Sequence, residues 1–317
     1  MLFKEQCYQA SAPGSLMLLG EYAVLQQKSA VVCAVNKRMR VKIIPREDDT
    51  VSVISEGYGR VTTSLQALTV TAPFQFVFAC LSFHRQKLKS GCDIYITSEF
   101  SDQMGLGSSA AVTVATLAAL FTWRGVPWNP LQLLRAARQI IRAVQTVGSG
   151  ADVAASVMGG VLAYCPTPLA VEKFSLAPPL TVIYSGSKTP TVEAIRRVRE
   201  RFAFAPDLFK TLCQAIHRCA KEGIAALQAA DWQRFGAVMD IQQGLMQALG
   251  VSTPLLDSLI EKLRANVAIC GAKISGSGWG DCVLGLGQAD LLGMQEADAS
   301  GVRQVAVQVT LEGVRIE

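Results

Sequence analysis

Ser101-Asp-Gln-Met-Gly-Leu-Gly-Ser-Ser-Ala-Ala111 is the stretch whose residue types are best suited to chemistry. Glycines at 105 and 107 precede Ser108, Ser109 and a run rich in Ala and Leu. With a strand entering and a helix leaving, unpaired backbone N–H groups and the positive end of a helix dipole converge on one point, which suits a phosphate. The glycines let a bulky anion approach the backbone, and either serine hydroxyl can add a hydrogen bond or a magnesium ligand. Three readings compete: a tight turn with a serine cap, a dinucleotide-binding turn, and a phosphate loop. Gly105-x-Gly107-x-x-Ala110 fits a relaxed dinucleotide fingerprint, but that fold wants an acidic residue about 20 positions later to hold a ribose. No Asp or Glu occurs from Gln103 to Ala151. No Gly-Lys-Ser/Thr follows the glycines, so a Walker loop is excluded as well. A phosphate loop of another type survives beside the plain turn.

The acid-free stretch carries Arg124, Arg135, Arg138 and Arg142, which read as a solvated helix face. It ends at Gly148-Ser-Gly-Ala-Asp152, and Asp152 is the sole carboxylate between Asp102 and Glu172. Such an acid, set among small residues, could accept a proton from a substrate hydroxyl or orient it. Taken alone, the simpler reading is a cap on a helix beginning at Val153. Two further glycine clusters frame the chain. Ala12 to Val24 places an exposed Glu21 in a turn between strands, and Gly271 to Asp281 strings Gly276, Gly278 and Gly280 behind a strand. Each alone is weak, because glycine-rich turns are mostly structural.

The elements that must position these residues alternate between strand and helix. Leu16–Leu19, Ala30–Val35, Val41–Pro45, Val51–Ser55 and Cys92–Thr97 read as strands. Helices are expected over Phe74–Phe83, Ser108–Trp123 and Leu131–Val144, the last bounded by Pro130 and Gly148. Pro166, Pro168, Pro178 and Pro179 cluster, and a domain boundary is placed there, giving domains 1–175 and 176–317. Beyond it come a strand at Leu180–Tyr184, helices between Val192 and Leu249, and a short helix near Leu255–Asn266. Strands at Ala272–Ile274, Cys282–Leu286 and near Gln304–Thr310 complete the chain. The long helices could pack a homodimer, although amphipathic helices more often cover a sheet.

Composition narrows the function. The 317 residues are 50% hydrophobic and 17% charged, a globular balance with enough length for a substantial core. A net charge of +5 without an aromatic-interleaved basic block gives no support for nucleic acid and suits an anionic small ligand. The first ten residues hold no apolar run of signal-peptide length, and Ala110–Phe121 is too short to span a bilayer, so no membrane role is expected. Nine scattered cysteines without C-x-x-C pairs read as reduced thiols of a cytoplasmic protein. His84 and His217 are the only histidines, which leaves little for a zinc hydrolase or a histidine-dependent triad.

In their order and spacing, these segments resemble the GHMP kinases, the superfamily of galactokinase, homoserine kinase, mevalonate kinase and phosphomevalonate kinase. Ala12–Val24 is similar to its N-terminal signature, Met104–Ala111 to its ATP phosphate loop, and Ala272–Gly280 to its C-terminal glycine motif. The resemblance implies a two-domain α+β fold, with an N-terminal domain like ribosomal protein S5 that carries the phosphate loop and a ferredoxin-like C-terminal domain. It further implies ATP and Mg2+ as cofactors and transfer of the γ-phosphoryl group to a small-molecule alcohol. Gly20 to Val24, Gly148 to Ala154 and Tyr184 to Thr191 point to the mevalonate-pathway branch, with mevalonate as the acceptor and phosphomevalonate as the alternative. By the same carry-over, Met104, Gly105, Leu106, Gly107, Ser108, Ser109 and Ala110 bind ATP, with Ser109 near magnesium. Asp152 faces the accepting hydroxyl, while Glu21, Tyr22, Gly276, Ser277 and Gly278 line the substrate pocket.

Two departures stand out. Mevalonate kinases usually carry a Lys where this chain has Ser15, and many carry a magnesium-binding Glu where Gln139–Ala143 offers none. Lys188 or Lys273 is the expected source of the missing positive charge. A decarboxylase of the same superfamily ranks lower, because its usual phosphate loop is less rich in glycine. A nucleotide-binding regulator without catalysis is disfavoured by Asp152 and the three glycine motifs together.

Overall fold

The computed structural model describes residues 6–291 and 301–317. Its first layer is an antiparallel framework built on two long strands, β1 (Tyr8–Leu19) and β2 (Ala30–Pro45). The two segments read from the sequence as separate strands, Ala30–Val35 and Val41–Pro45, are one strand of 16 residues. Polar Asn36, Lys37 and Arg38 do not break it, because β1 pairs along both halves and absorbs the irregularity in a bulge between Pro13 and Gly14. Next come β3 (Thr50–Ser55), β4 (Gly59–Ser64) and β5 (Cys92–Ser98), the last running parallel to β3. A hairpin of β6 (Val161–Pro166) and β7 (Leu169–Phe174) joins the sheet through β2. β7 lies inside the proline cluster that the sequence suggested was a break. Its flanking prolines sit at the ends of strands, where no ladder donor is needed.

Helices back this sheet. α1 (Gln75–His84) and α2 (Ser108–Trp123) pack together, and α2 is buried almost all round. α3 (Pro130–Gln145) is amphipathic, turning Leu133, Leu134, Ala137, Ile140 and Ile141 inward. Asn129 starts it with a reciprocal capping box to Gln132, and Pro130 fills the first helical position. A short helix, α4 (Ala151–Met158), follows the second glycine cluster.

The second layer is an antiparallel sheet of β8 (Leu180–Ser185), β9 (Ala272–Ser275), β10 (Cys282–Leu286) and β11 (Val302–Val305). Its order, β11-β8-β10-β9, sets the fourth strand beside the first, followed by the third and the second, which is the ferredoxin-like arrangement. α5 (Thr191–Arg201), α6 (Pro206–Gln228), α7 (Trp232–Leu249) and α8 (Pro254–Arg264) accompany it. Val182 and Leu284 join the core shared with the first layer, whereas Ile183 and Val283 join a separate core with α5, α7 and α8. Alternation along each strand therefore buries both faces, which is why β8 and β10 read as unbroken apolar runs.

The chain then returns to the first layer. Val309 bridges Val35, and a last strand, β12 (Arg315–Ile316), pairs with β1. The strand expected near Gln304–Thr310 is thus split between two sheets. Arg38 fastens this return: its guanidinium is buried and donates to the Ser11 hydroxyl at 2.9 Å, the Ser11 carbonyl at 2.9 Å and the Gly313 carbonyl at 2.8 Å. Among the described residues no helix is long and apolar enough to cross a membrane. Replacing Arg38 with Met removes the donors to the Ser11 and Gly313 carbonyls and to a Ser11 hydroxyl that keeps only its bond to Glu317. It should lower the unfolding free energy by about 2–3 kcal/mol in a urea titration.

Candidate active site

The glycine loop over 105–107 is shaped by how closely it must pass β1. After β5, the Ser101 hydroxyl accepts from the Gln103 N–H at 3.2 Å, and one helical turn over Asp102–Met104 leads into Gly105. Gly105 and Gly107 both hold φ of 68°, a left-handed conformation that glycine adopts freely. Between them Leu106 is buried, and its carbonyl accepts from the Ser15 N–H at 3.0 Å. A Cβ placed on Gly107 would stand 2.2 Å from the Ser15 hydroxyl oxygen and 3.6 Å from the Asp152 Cβ. No larger residue fits there. α2 begins directly afterwards without a side-chain cap, so the N–H groups of its first turn point into the cleft without intrahelical acceptors.

A second helix start faces the same point. Gly150, at φ of 85°, precedes α4, so the helix begins at Ala151 and not at Val153. Asp152 therefore lies within the first turn and makes no cap. Its Oδ1 accepts from the Ser15 hydroxyl at 2.9 Å. Burial raises the Asp152 carboxyl above its ordinary range; the Ser15 hydrogen bond opposes this and the Glu21 charge adds to it. Among the described residues no cation pairs with Asp152, and the position where mevalonate kinases usually carry Lys supplies a hydroxyl instead.

Glu21 is not exposed, as the turn suggested, but 4% accessible. It forms a buried ion pair with Lys273, whose ammonium also donates to the Ile274 carbonyl. The other Glu21 oxygen accepts from the Gln242 side chain, whose own oxygen takes the Gly20 N–H at 3.0 Å. Burial lowers the Lys273 pKa, and the Glu21 charge counters that shift. Next to this network the Tyr22 hydroxyl donates to the Ser277 carbonyl at 2.6 Å, tying the first turn to the C-terminal glycine loop.

Two cavities meet at the start of α2, sharing Ser108 and Ser109. The smaller, of about 170 Å³, is lined by Glu21, Tyr22, Gly105, Gly107, Ala110, Asp152, Lys188, Gly276 and Ser277 among others. The larger, of about 860 Å³, opens over Met104 towards Met39, Tyr58, Phe74 and Ile96. Leu106 supports the loop from behind. Gly278 and Lys273 are not brought into either cavity. Gly278 packs on Val251, and Lys273 is fully buried against Glu21. Lys188 does face the cleft, where its ammonium donates to the Asp102 carbonyl.

Sequence reasoning passed over Asp281, which closes the C-terminal glycine run. It is 5% accessible, and a Cβ on Gly105 would come within 2.9 Å of its Oδ1. Burial raises its pKa to about 6, opposed by Lys188 and reinforced by Asp152. Its place at the end of Gly276–Gly280 was the one signal available. Gln242 gave none, standing mid-helix among ordinary polar residues. Replacing Lys273 with Met should destabilise the protein by about 3–5 kcal/mol, because a buried carboxylate loses its partner. Adding Glu21→Gln should recover part of that loss in the same denaturation assay, whereas Lys188→Met should leave stability near that of the parent.

Comparison with known proteins places this geometry. Residues 75–160 match the GHMP kinases N terminal domain, and residues 224–303 match the GHMP kinases C terminal. A mevalonate kinase of Pyrococcus horikoshii is 30% identical over 97% of this chain and 97% of its own. The crystal structure of Methanococcus jannaschii mevalonate kinase superposes with a TM-score of 0.80 at 19% identity, covering 98% of this chain and 100% of that one. Lactococcus lactis galactokinase, solved with galactose, gives a TM-score of 0.82 at 17% identity, covering 98% and 95%. The last two likenesses concern the fold, which is common to kinases of different acceptors. With both domains matched and a full-length relative at that identity, the chain belongs to the GHMP kinases, ATP-dependent phosphotransferases that act on an alcohol group.

Proposed function

We propose that the chain is a mevalonate kinase, moving the γ-phosphoryl group of ATP to a hydroxyl of mevalonate. The observation that carries the reading is that Asp152 and the uncapped start of α2 face one small cavity, so a proton acceptor and a phosphate cradle lie side by side. In that arrangement the acceptor hydroxyl hydrogen-bonds to Asp152. Its oxygen attacks the γ-phosphorus, its proton passes to the carboxylate, and the bond to the leaving ADP oxygen breaks. Phosphoryl transfer needs chiefly positioning and charge stabilisation, which the two helix starts, the loop N–H groups and Lys188 supply. The larger cavity, with Tyr58 and Phe74 on its wall, suits the nucleoside. Gly105, Gly107, Ser108 and Ser109 suit the phosphates.

The choice of mevalonate draws on the full-length relatives of that name and on the chemistry of the smaller cavity. Lys188 is the one cationic side chain among its lining residues, and Val24, Leu25, Ile141, Val147 and Ile195 give it an apolar wall. A phosphorylated acceptor would want more positive charge than that. Magnesium would add charge neutralisation between the phosphates, held by their oxygens with the Ser109 hydroxyl. The cleft fits a cation in one further respect, a buried carboxylate oxygen on Asp281 without a partner. The nine free thiols favour a reducing compartment. For domain limits we take a division at 175/176, with the last residues returning to the first layer.

The test is ATP consumption by the purified protein with mevalonate, phosphomevalonate, homoserine and galactose in separate reactions. Turnover is expected with mevalonate, reduced by roughly 10²–10⁴-fold in Asp152→Asn. Turnover with phosphomevalonate alone would replace the acceptor, and none with any of the four would refute the assignment. The pH profile gives a second check. Asp152 must be ionised to accept the proton, and its pKa is raised, so kcat should fall on acidification at a pH above the ordinary carboxylate range. Ser15→Ala removes a hydrogen bond that lowers this pKa and should move the acid limb to still higher pH. An unmoved limb would show that Asp152 is not the titrating group.

A further inference from the structure

Asp281 makes and breaks no bond in the reaction described above, yet its position is tightly specified. Its backbone is fastened on both sides: its N–H donates to the Ser187 carbonyl at 2.8 Å, and its carbonyl accepts from the Ser185 N–H at 2.9 Å. The residue sits at φ of 60°, and its Oδ1 is buried without a hydrogen-bond partner. That oxygen faces Gly105 of the phosphate loop, and the side chain shares the lining of the cleft with Ser108, Ser109 and Asp152. A carboxylate in this place repels the phosphates that the loop is built to receive. Within a desolvated cleft that repulsion is large. Lys188 is the positive charge that acts on Asp281, but its ammonium donates to the Asp102 carbonyl, and among the described residues no ion pair within 4 Å is made by Asp281.

A divalent cation reverses the sign of the problem. Placed between the carboxylate and the phosphates, it attracts both and fills the empty coordination of Oδ1. Magnesium is commonly bound by one or two carboxylates together with substrate phosphates, keeping several waters. Among the described residues no group of three or more His, Cys, Asp or Glu side chains could hold a metal by itself, so a cation here would arrive with the nucleotide. Gly105 contributes too, because a side chain there would occupy the space in front of Oδ1.

We infer that Asp281 is a protein ligand of the divalent cation that accompanies ATP, reaching it from the C-terminal glycine loop, across the cleft from Ser109. The assignment rests on the kinase reading above. It accounts for the absence of a carboxylate at Gln139–Ala143, since the ligand comes from the opposite wall.

Calorimetric binding of a non-hydrolysable ATP analogue, in Mg2+ and in EDTA, separates the two ideas. The parent should bind the analogue more tightly in Mg2+ than in EDTA. Asp281→Asn should lose roughly tenfold or more of that ratio. It should also bind the metal-free analogue at least as tightly as the parent, because a repelling charge has gone. Asp281→Gly should behave alike, and the left-handed backbone accommodates both replacements. Variants that keep the parental ratio, in a protein that still turns over ATP, would overturn the assignment and leave the kinase reading intact. A parent that binds no analogue in either buffer would overturn both.

Discussion

At Gly107 the phosphate loop runs so close to β1 that an added Cβ would lie 2.2 Å from the Ser15 hydroxyl, and this contact organises everything around it. Ser15 donates its backbone N–H to the Leu106 carbonyl and its hydroxyl to Asp152. One residue of a central strand thereby sets the position of the loop and of the carboxylate together. Just before Ser15, between Pro13 and Gly14, the register of β1 against β2 shifts, with Asn36 and Lys37 as the extra residues on β2. The first strand is therefore a ruler: the starts of α2 and α4 are placed by their distance from it. Catalysis by positioning needs that kind of rigidity, since small errors in geometry are expensive in rate.

The same strand leads into the joint between the layers. Glu21 follows β1, Lys273 stands on β9 and Gln242 on α7, so their network crosses from the first layer to the second. A buried ion pair is not in itself a strong stabiliser, because desolvating two charges offsets much of their attraction. Its value here is angular. Glu21 takes partners from β9 and α7 at once, and sliding the layers would leave a buried charge unmatched. The Tyr22–Ser277 hydrogen bond adds a second tie beside it, holding the C-terminal glycine loop over the cleft.

Charge in the cleft is unbalanced in a way that suits its ligand only once loaded. Asp152 and Asp281 both have raised pKa values, chiefly through burial. Two helix starts and Lys188 supply positive potential, aimed at the region between them. The cleft thus holds two carboxylates in poor solvation. In the reaction proposed above, nucleotide and cation would bring the missing partners at the stage when the phosphoryl group must move.

Sequence alone determined the local parts of this protein. The glycine spacing at 105 and 107 and the helix behind it were legible because a phosphate loop is made from consecutive residues. The bounds of β5, α2 and α3 followed from periodicity and caps. Tertiary structure decided the rest. Ala30–Pro45 is one strand because β1 pairs with all of it, and the tail returns to the first sheet because Arg38 and β1 receive it. Lys273 looked available for catalysis until Glu21, 252 residues away, was found beside it. Asp281 looked like the end of a glycine turn until Gly105 was found against its carboxylate. Backbone conformation and capping depend on neighbours in the chain and can be read from it. The charge state and freedom of a side chain depend on what the fold brings within a few ångströms, and that is not written in any local stretch of sequence.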